Sequence, residues 1–197
     1  MATFTDTFSG ASLGSDWASP AVSENPNTPS VGSGVASGSG SSARVVAAID
    51  SGTITMTIVV PTTPADYDGV GSVYLDGTTQ NGYGMYFRQE PGAGQIFFSR
   101  YDAGTSTGLA NEFTGSQSYP LTIVTTYNPT TDTFTISLNG TPFTSRTNST
   151  YTNITRGGFV LDATMTITSY SLDPVVSSAS IPPVDYTNFP KAFVLLR

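Results

Sequence analysis

Between Gly69 and Asp102 the chain reads GVGSVYLDGTTQNGYGMYFRQEPGAGQIFFSRYD. Three runs rich in aromatic and β-branched residues are parted by DGTTQNG and EPGAG, which carry the residues that reverse a chain. This spacing predicts an antiparallel meander. Similar runs recur almost from end to end, and none shows helical periodicity with caps, so an all-β fold with little helix is expected. At 197 residues the chain is long enough for one sandwich with a full core.

The period-two pattern says which side chains face inward. Phe4 and Phe8 share one face of the first run, with Thr5 and Thr7 on the other. Ile54, Met56, Ile58 and Val60 alternate with Thr53, Thr55 and Thr57; Leu121 and Ile123 follow the same rule, as do Phe134, Ile136 and Leu138 against Thr133, Thr135 and Ser137. Alternation of this kind predicts antiparallel sheets with one face in the core and a threonine-covered face outside. The predicted core includes Ile54, Met56, Ile58, Phe134, Ile136, Leu138, Leu161 and Ile167. Asn139-Gly140 fits the positive φ angles of a type I′ hairpin turn. Pro142 cannot donate to a ladder, so the returning strand should lie at an edge or begin at a bulge. In FVLDATMTITSYSLD, Phe159, Leu161, Met165 and Ile167 keep one phase while Tyr170 and Leu172 take the other, which predicts a bulge near Thr168 or Ser169. Trp17, the lone tryptophan, reads as a plug under the sandwich rim. The low-complexity SVGSGVASGSGSS reads as a long loop or irregular edge strand.

After Asp173 the alternation stops. Residues 1–173 are read as the sandwich and 174–197 as a terminal arm, in which Pro174, Pro182, Pro183 and Pro190 keep the chain extended. Its end is apolar. Phe189, Phe193, Val194, Leu195 and Leu196 form a patch that a monomer rarely leaves exposed, so they are the expected assembly interface, docking on neighbouring copies or on capsid or fibre proteins.

Charge and composition exclude several functions. The net charge is −7, the sequence pI is about 4.2, and Lys191 is the sole lysine, so nucleic acid, which is bound largely through clustered cations, is not an expected partner. The start, MATFTDTF, lacks a basic segment followed by an apolar run, and no window reaches the ~18 apolar residues of a membrane span. Synthesis in a cytoplasm with no signal peptide, and no membrane partner, are therefore expected. The chain has no cysteine and no histidine. Disulfides, zinc–thiolate sites and the commonest general base are thereby removed. Gly10-Ala11-Ser12-Leu13-Gly14 matches the string of a nucleophile elbow, but that motif needs a histidine to take the serine proton. Glu24, Glu90 and Glu112, the three glutamates, fall in separate segments, so no strand carries the carboxylate pair of a glycosidase. A non-enzymatic role is expected.

Two ligand-like features remain. Asp66-Tyr67-Asp68-Gly69 places two carboxylates beside a glycine, a cluster that can hold a hard cation such as calcium, although a polar turn accounts for it as well. Tyr83, Tyr86, Phe87, Phe97, Phe98 and Tyr101 can supply a sugar-stacking platform, or core and cross-strand pairs. Asp66, Tyr67 and Asp68 are the candidate ligand-binding residues; no cofactor other than calcium suggests itself. The strings at Asn139, Asn148 and Asn153 match glycosylation acceptors, which carry little weight without a secretory signal.

The order of FTDTFSGASLGSDW, VYLDGTTQNGYGMYFRQEPGAGQIFFSRYD, the TFTISLNGTPF hairpin and MTITSYSLD resembles the concanavalin A-like, laminin-G-type jelly roll. The resemblance covers roughly residues 3 to 173 and rests on scaffold features. It implies a two-sheet antiparallel sandwich in a group that includes lectins, glucanases, adhesive modules and virion proteins. The paired-carboxylate strand of the glucanases has no counterpart here, and neither do the calcium and sugar contacts of the lectins. Two functions are expected from this combination. The first is a virion structural protein, a capsid decoration or fibre component of a bacteriophage, located in the particle. The alternative is a carbohydrate-binding module or adhesin, extracellular or at a cell surface, that holds glycans.

Overall fold

In the computed structural model, residues 2–13, 17, 27–38, 43–48, 52–76, 80–162 and 164–175 are described. They form strands β1 (Ala2–Asp6), β2 (Ser30–Gly32), β3 (Val35–Ser37), β4 (Ala43–Ala48), β5 (Ile54–Val60), β6 (Gly69–Leu75), β7 (Gly82–Glu90) and β8 (Ala93–Asp102). There follow β9 (Thr105–Gly115), β10 (Leu121–Asn128), β11 (Thr133–Leu138), β12 (Thr141–Thr147), β13 (Arg156–Leu161), β14 (Thr166–Ile167) and β15 (Ser169–Val175). No helix occurs among the described residues.

Two six-stranded sheets, ordered β1-β15-β5-β10-β11-β12 and β4-β13-β6-β7-β8-β9, pack face to face, and β14-β3-β2 adds a small third sheet. The predicted meander is β6-β7-β8, continued by β9. All eight predicted core residues are buried, none more than 2% exposed. Aromatic rings lock the sheets together: Tyr83 of β7 lies 4.6 Å from Phe134 of β11, and Phe159 of β13 lies 5.3 Å from Tyr170 of β15, between ring centroids. Such contacts contribute about 0.5–1.5 kcal/mol each beyond their buried area. Trp17 is the plug expected of it, packed on Phe4, Phe159 and Tyr170, with its indole N–H donating to Asp6 at 2.8 Å. A short polar chain crosses the core, from the Tyr74 hydroxyl to Thr125 and from Thr125 to Ser72, so these buried groups keep partners.

Local sequence signals explain the turns and edges. Asn139 and Gly140 have φ of 48° and 78°, the pair of positive angles that a type I′ turn requires. The strand carrying Pro142 is an edge and also bulges, with a register shift between the pairs Ile136–Thr144 and Ser137–Pro142. The phase break at Thr168 is larger than the bulge expected there. At that residue the chain leaves the small sheet, where β14 pairs β3, and enters the first large sheet, where β15 lies between β1 and β5. The glycine-serine segment, expected as a long loop or irregular edge strand, is in part strand: it forms the β2-β3 hairpin, turned at Ser33-Gly34 with φ of 55° and 80°, and β2 is an edge of the small sheet. The last strand runs on to Val175, and a register irregularity opposite Ala2–Phe4 absorbs Pro174, which has no N–H to pair.

Candidate functional site

The outer faces of the two large sheets differ in relief. On β6 and β7, Gly69, Gly71 and Gly84 occupy outward positions where side chains are missing, and aromatic rings lie flat in their place. A Cβ at Gly69 would fall 2.5 Å from the Tyr86 ring; at Gly71 it would fall 2.7 Å from the Met85 carbonyl and 2.9 Å from that ring. Tyr101 covers Gly84 in the same way, 3.0 Å from a Cβ there. These glycines are needed for close approach. Tyr86 thus reaches across β6, and its hydroxyl donates to Asp162, just past the end of β13. Burial first, then the charge of Asp162 and the bond to it, raises the Tyr86 pKa well above the ordinary tyrosine value, so the phenol stays a protonated donor.

Above this floor is a groove of about 240 Å³. Tyr86, Phe97, Tyr101 and Val160 supply apolar wall, and Arg88, Ser99, Ser106 and Asp162 supply polar groups. Tyr86 and Phe97 are direct cross-strand partners with ring centroids 6.3 Å apart. The Arg88 guanidinium carbon lies 4.7 Å from the Phe97 ring centroid and 5.9 Å from that of Tyr67. Its charge is matched locally: Nε and Nη2 reach Glu90 at 2.6 and 2.5 Å, and Nη2 also donates to Gln95 at 3.2 Å.

Tyr67 stands beside Arg88 in an unusual state. Its φ is 70°, a left-handed conformation that a bulky residue rarely adopts. Backbone bonds hold it there, Tyr67 N–H to the Gln89 carbonyl at 2.7 Å and Gln89 N–H to the Asp68 carbonyl at 2.8 Å, while the side chain is 61% exposed. Asp68 accepts from the Thr164 hydroxyl, and its pKa is raised, first by burial and then by the charge of Asp162.

The predicted turn residues therefore divide. Tyr67 is joined to the groove through Arg88 and Asp68 through Asp162, whereas Asp66 is exposed in the turn. Among the described residues no three histidine, cysteine, aspartate or glutamate side chains gather as a metal-binding group. Of the six aromatics singled out, Tyr83, Phe87 and Phe98 belong to the core between the sheets, and Tyr86, Phe97 and Tyr101 to the groove. Phe189, Phe193, Val194, Leu195 and Leu196 lie outside the described residues. The sequence reading missed Arg88, Ser99, Ser106 and Asp162. The available signal was the doubled glycine spacing, Gly69 with Gly71 and Gly82 with Gly84, which strips side chains from one face of two neighbouring strands.

The two described glutamates stand apart. Glu90 is bound to Arg88, and Glu112 to Arg146 at 3.3 Å, on separate strands. Asp162 is the carboxylate lining the groove.

No family model matches the chain, and no curated protein matches it. Solved structures do. The Emp47p carbohydrate recognition domain superposes with a TM-score of 0.61 at 12% identity, covering 88% of this chain and 95% of that one. The CBM2 module of the evolved Dit of Lactobacillus casei BL23 phage J-1 gives 0.60 at 11% identity, over 86% and 93%. A prokaryotic β-1,3-1,4-glucanase from a mouse hindgut metagenome gives 0.58 at 10% identity, over 89% and 100%. The fold is thus the concanavalin A-like jelly roll, the one that the order of sequence segments implied.

Proposed function

We propose that this chain is a non-catalytic carbohydrate-binding module whose groove, over β7 and β8, takes the end of a neutral glycan. The observation that carries this reading is the glycine-floored groove, with Tyr86, Phe97 and Tyr101 as walls and the exposed Tyr67 beside its Arg88. Sugars present both an apolar ring face and hydroxyls. Aromatic surfaces beside Asp162, Ser99 and Ser106 match that combination, and a few convergent polar groups in an apolar cleft are the usual form of a small-molecule site. A neutral ligand is favoured because Arg88 is already paired with Glu90, while Asp162 and Asp68 make one end of the groove hostile to an anion.

Two similar structures support this reading by what they are called, a carbohydrate recognition domain and a carbohydrate-binding module. The glucanase has the same fold, but here Glu90 and Glu112 are bound to Arg88 and Arg146 on separate strands, and Asp162 accepts from Tyr86. The virion role is the second reading, favoured by the phage Dit module among the similar structures. The proposed setting is a bacteriophage particle in which the module displays its groove to host glycans, while capsid or fibre proteins hold it.

A glycan array with Tyr67→Ala and Phe97→Ala tests the groove. Each substitution should weaken binding about tenfold or more, by removing ring contact with the ligand, and should leave the fold intact by circular dichroism. Unchanged binding in both variants overturns the proposed surface. Repeating the array with chelator tests calcium at Asp66 and Asp68, and turnover of any bound polysaccharide overturns the non-catalytic reading. Mass spectrometry of purified phage particles tests the virion setting.

A further inference from the structure

The groove is walled on one side and open on the other. Towards β13 it stops at Val160 and at Asp162, which the Tyr86 hydroxyl reaches across β6. Towards β9 the wall is missing. Gly108, the partner of Ser99, has nothing within 4 Å of where a Cβ would stand, and Asn111, the partner of Phe97, is exposed. Two residues further along β9 stands Phe113, paired with Gln95, which is itself paired with Arg88. Directly opposed residues of antiparallel strands share a face of the sheet, so Phe113 belongs to the face that carries the groove. The inward positions of β9 are Ala110, packed on the core, and Glu112, which meets Arg146 of the other sheet; Asn111 and Phe113 alternate with them and point out. At 67% exposed, Phe113 is the most open large apolar side chain among the described residues. A single exposed ring is ordinary. This one is the diagonal cross-strand neighbour of Phe97, at the spacing of about 7–8 Å over which aromatic side chains still act together.

We propose, resting on the reading that the groove takes the end of a neutral glycan, that Phe113 and Asn111 form a second sugar subsite. The ligand is then a linear oligosaccharide whose terminal sugar sits over β7 and β8 and whose next sugar lies on Phe113 at the edge of the sheet. Three observations select this occupant. The chemistry of the groove is repeated there, with a ring for the apolar face of a sugar and an amide that both donates to and accepts from hydroxyls. Reach agrees, since β7 and β9 are two strand spacings apart, about 10 Å, the length of a disaccharide. Charge agrees too: Glu112 is turned to the other face and paired with Arg146 at 3.3 Å, so the path over Gly108, Asn111 and Phe113 is uncharged. With the β13 side closed, this is the way out for the rest of the chain.

The test is a length series: glucose, galactose and mannose, each with its linear oligomers of two to four units, screened on an array and titrated by calorimetry. The parent protein should bind the two-unit member of its preferred series about tenfold more tightly than the single sugar. Phe113→Ala should cut that gain to about twofold or less, Phe113→Tyr should restore it, and Asn111→Ala should reduce it by a smaller factor. Phe97→Ala in the groove should weaken every member, and Thr135→Ala on the far sheet should change nothing. No binding to any member overturns the groove reading, and this inference with it. Binding that Phe97→Ala weakens, but in which Phe113→Ala leaves the gain from one unit to two intact, overturns the second subsite alone. So does a parent that holds two units no better than one. Self-association by light scattering that Phe113→Ala abolishes, with the length series unaltered, assigns the ring to a protein contact and also overturns the subsite.

Discussion

The outer faces of the two large sheets are made by the same alternation and come out opposite. On the first sheet, Thr55, Thr126, Thr135 and Ser145 stand in one row across four strands, and Thr57, Val124 and Ser137 stand in the next. These positions are filled by short branched or hydroxyl side chains, with Asp173 beside Thr55 and Pro142 beside Ser137 at the row ends, so the surface is even and mostly polar. On the second sheet, outward positions alternate between nothing at Gly69, Gly71 and Gly84 and large rings at Tyr86, Phe97 and Tyr101. Removing side chains from one strand gives the rings of the next room to lie down, and the result is relief. The inner faces of both sheets are equally buried. Stability is thus common to the two sheets, while the relief that the proposed ligand site needs belongs to one.

The sharpest test of that separation is to cut the shared core. Ile136→Ala, at a site 1% exposed, should destabilise by about 2–5 kcal/mol through lost burial and the cavity left behind. Its neighbour Thr135→Ala, on the even outer face, should stay within about 0.5 kcal/mol. Urea unfolding of both variants measures the contrast, and equal losses would mean that the threonine rows bear load. A smaller effect is expected on the uneven face. Gly71→Ala puts a methyl group 2.7 Å from the Met85 carbonyl and 2.9 Å from the Tyr86 ring, so the ring must lift or the strands part, at about 1–3 kcal/mol. Glycan binding should fall with it. A neutral Gly71→Ala with intact binding would show that the glycine floor does not shape the groove.

How much of this was legible in the sequence follows from what alternation encodes. Period two assigns each residue to a face, so the core from Ile54 to Ile167, the Asn139-Gly140 turn and the edge position of Pro142 could all be read directly. It does not say which outer face will be hollow, because that depends on cross-strand neighbours. Asp162 meets Tyr86 only through the pairing of β13 with β6 and of β6 with β7, and no local pattern encodes those registers. The Asp66-Tyr67-Asp68 turn stood out because two carboxylates beside a glycine are a local signal. Arg88 did not, since its meaning lies in Phe97 across the ladder and Tyr67 across a loop. The switch of sheets at Thr168 was visible as a phase error but not as a change of partner.

The smallest expected effect separates charge from shape at the rim. The folded-state pKa of Asp68 is raised above its ordinary value of 3.8, by burial first and then by the charge of Asp162. The folded chain therefore holds the Asp68 proton more tightly than the unfolded chain. For a group shifted upward, the favourable contribution is complete below the unfolded pKa and is lost as pH rises through the raised folded value. Near neutral pH the ionised Asp68 is a slight burden on the fold. Asp68→Asn keeps an oxygen for the Thr164 hydroxyl and removes the charge, so it should unfold at slightly higher urea than the parent at about pH 7, with the gap closing near about pH 3, where the parent carboxyl is largely protonated. A gap of the same size at both pH values would assign the gain to packing. A variant less stable than the parent at neutral pH would mean that the Asp68 carboxylate supports the rim in its charged form, and the two outer faces would then differ in electrostatics as well as in relief.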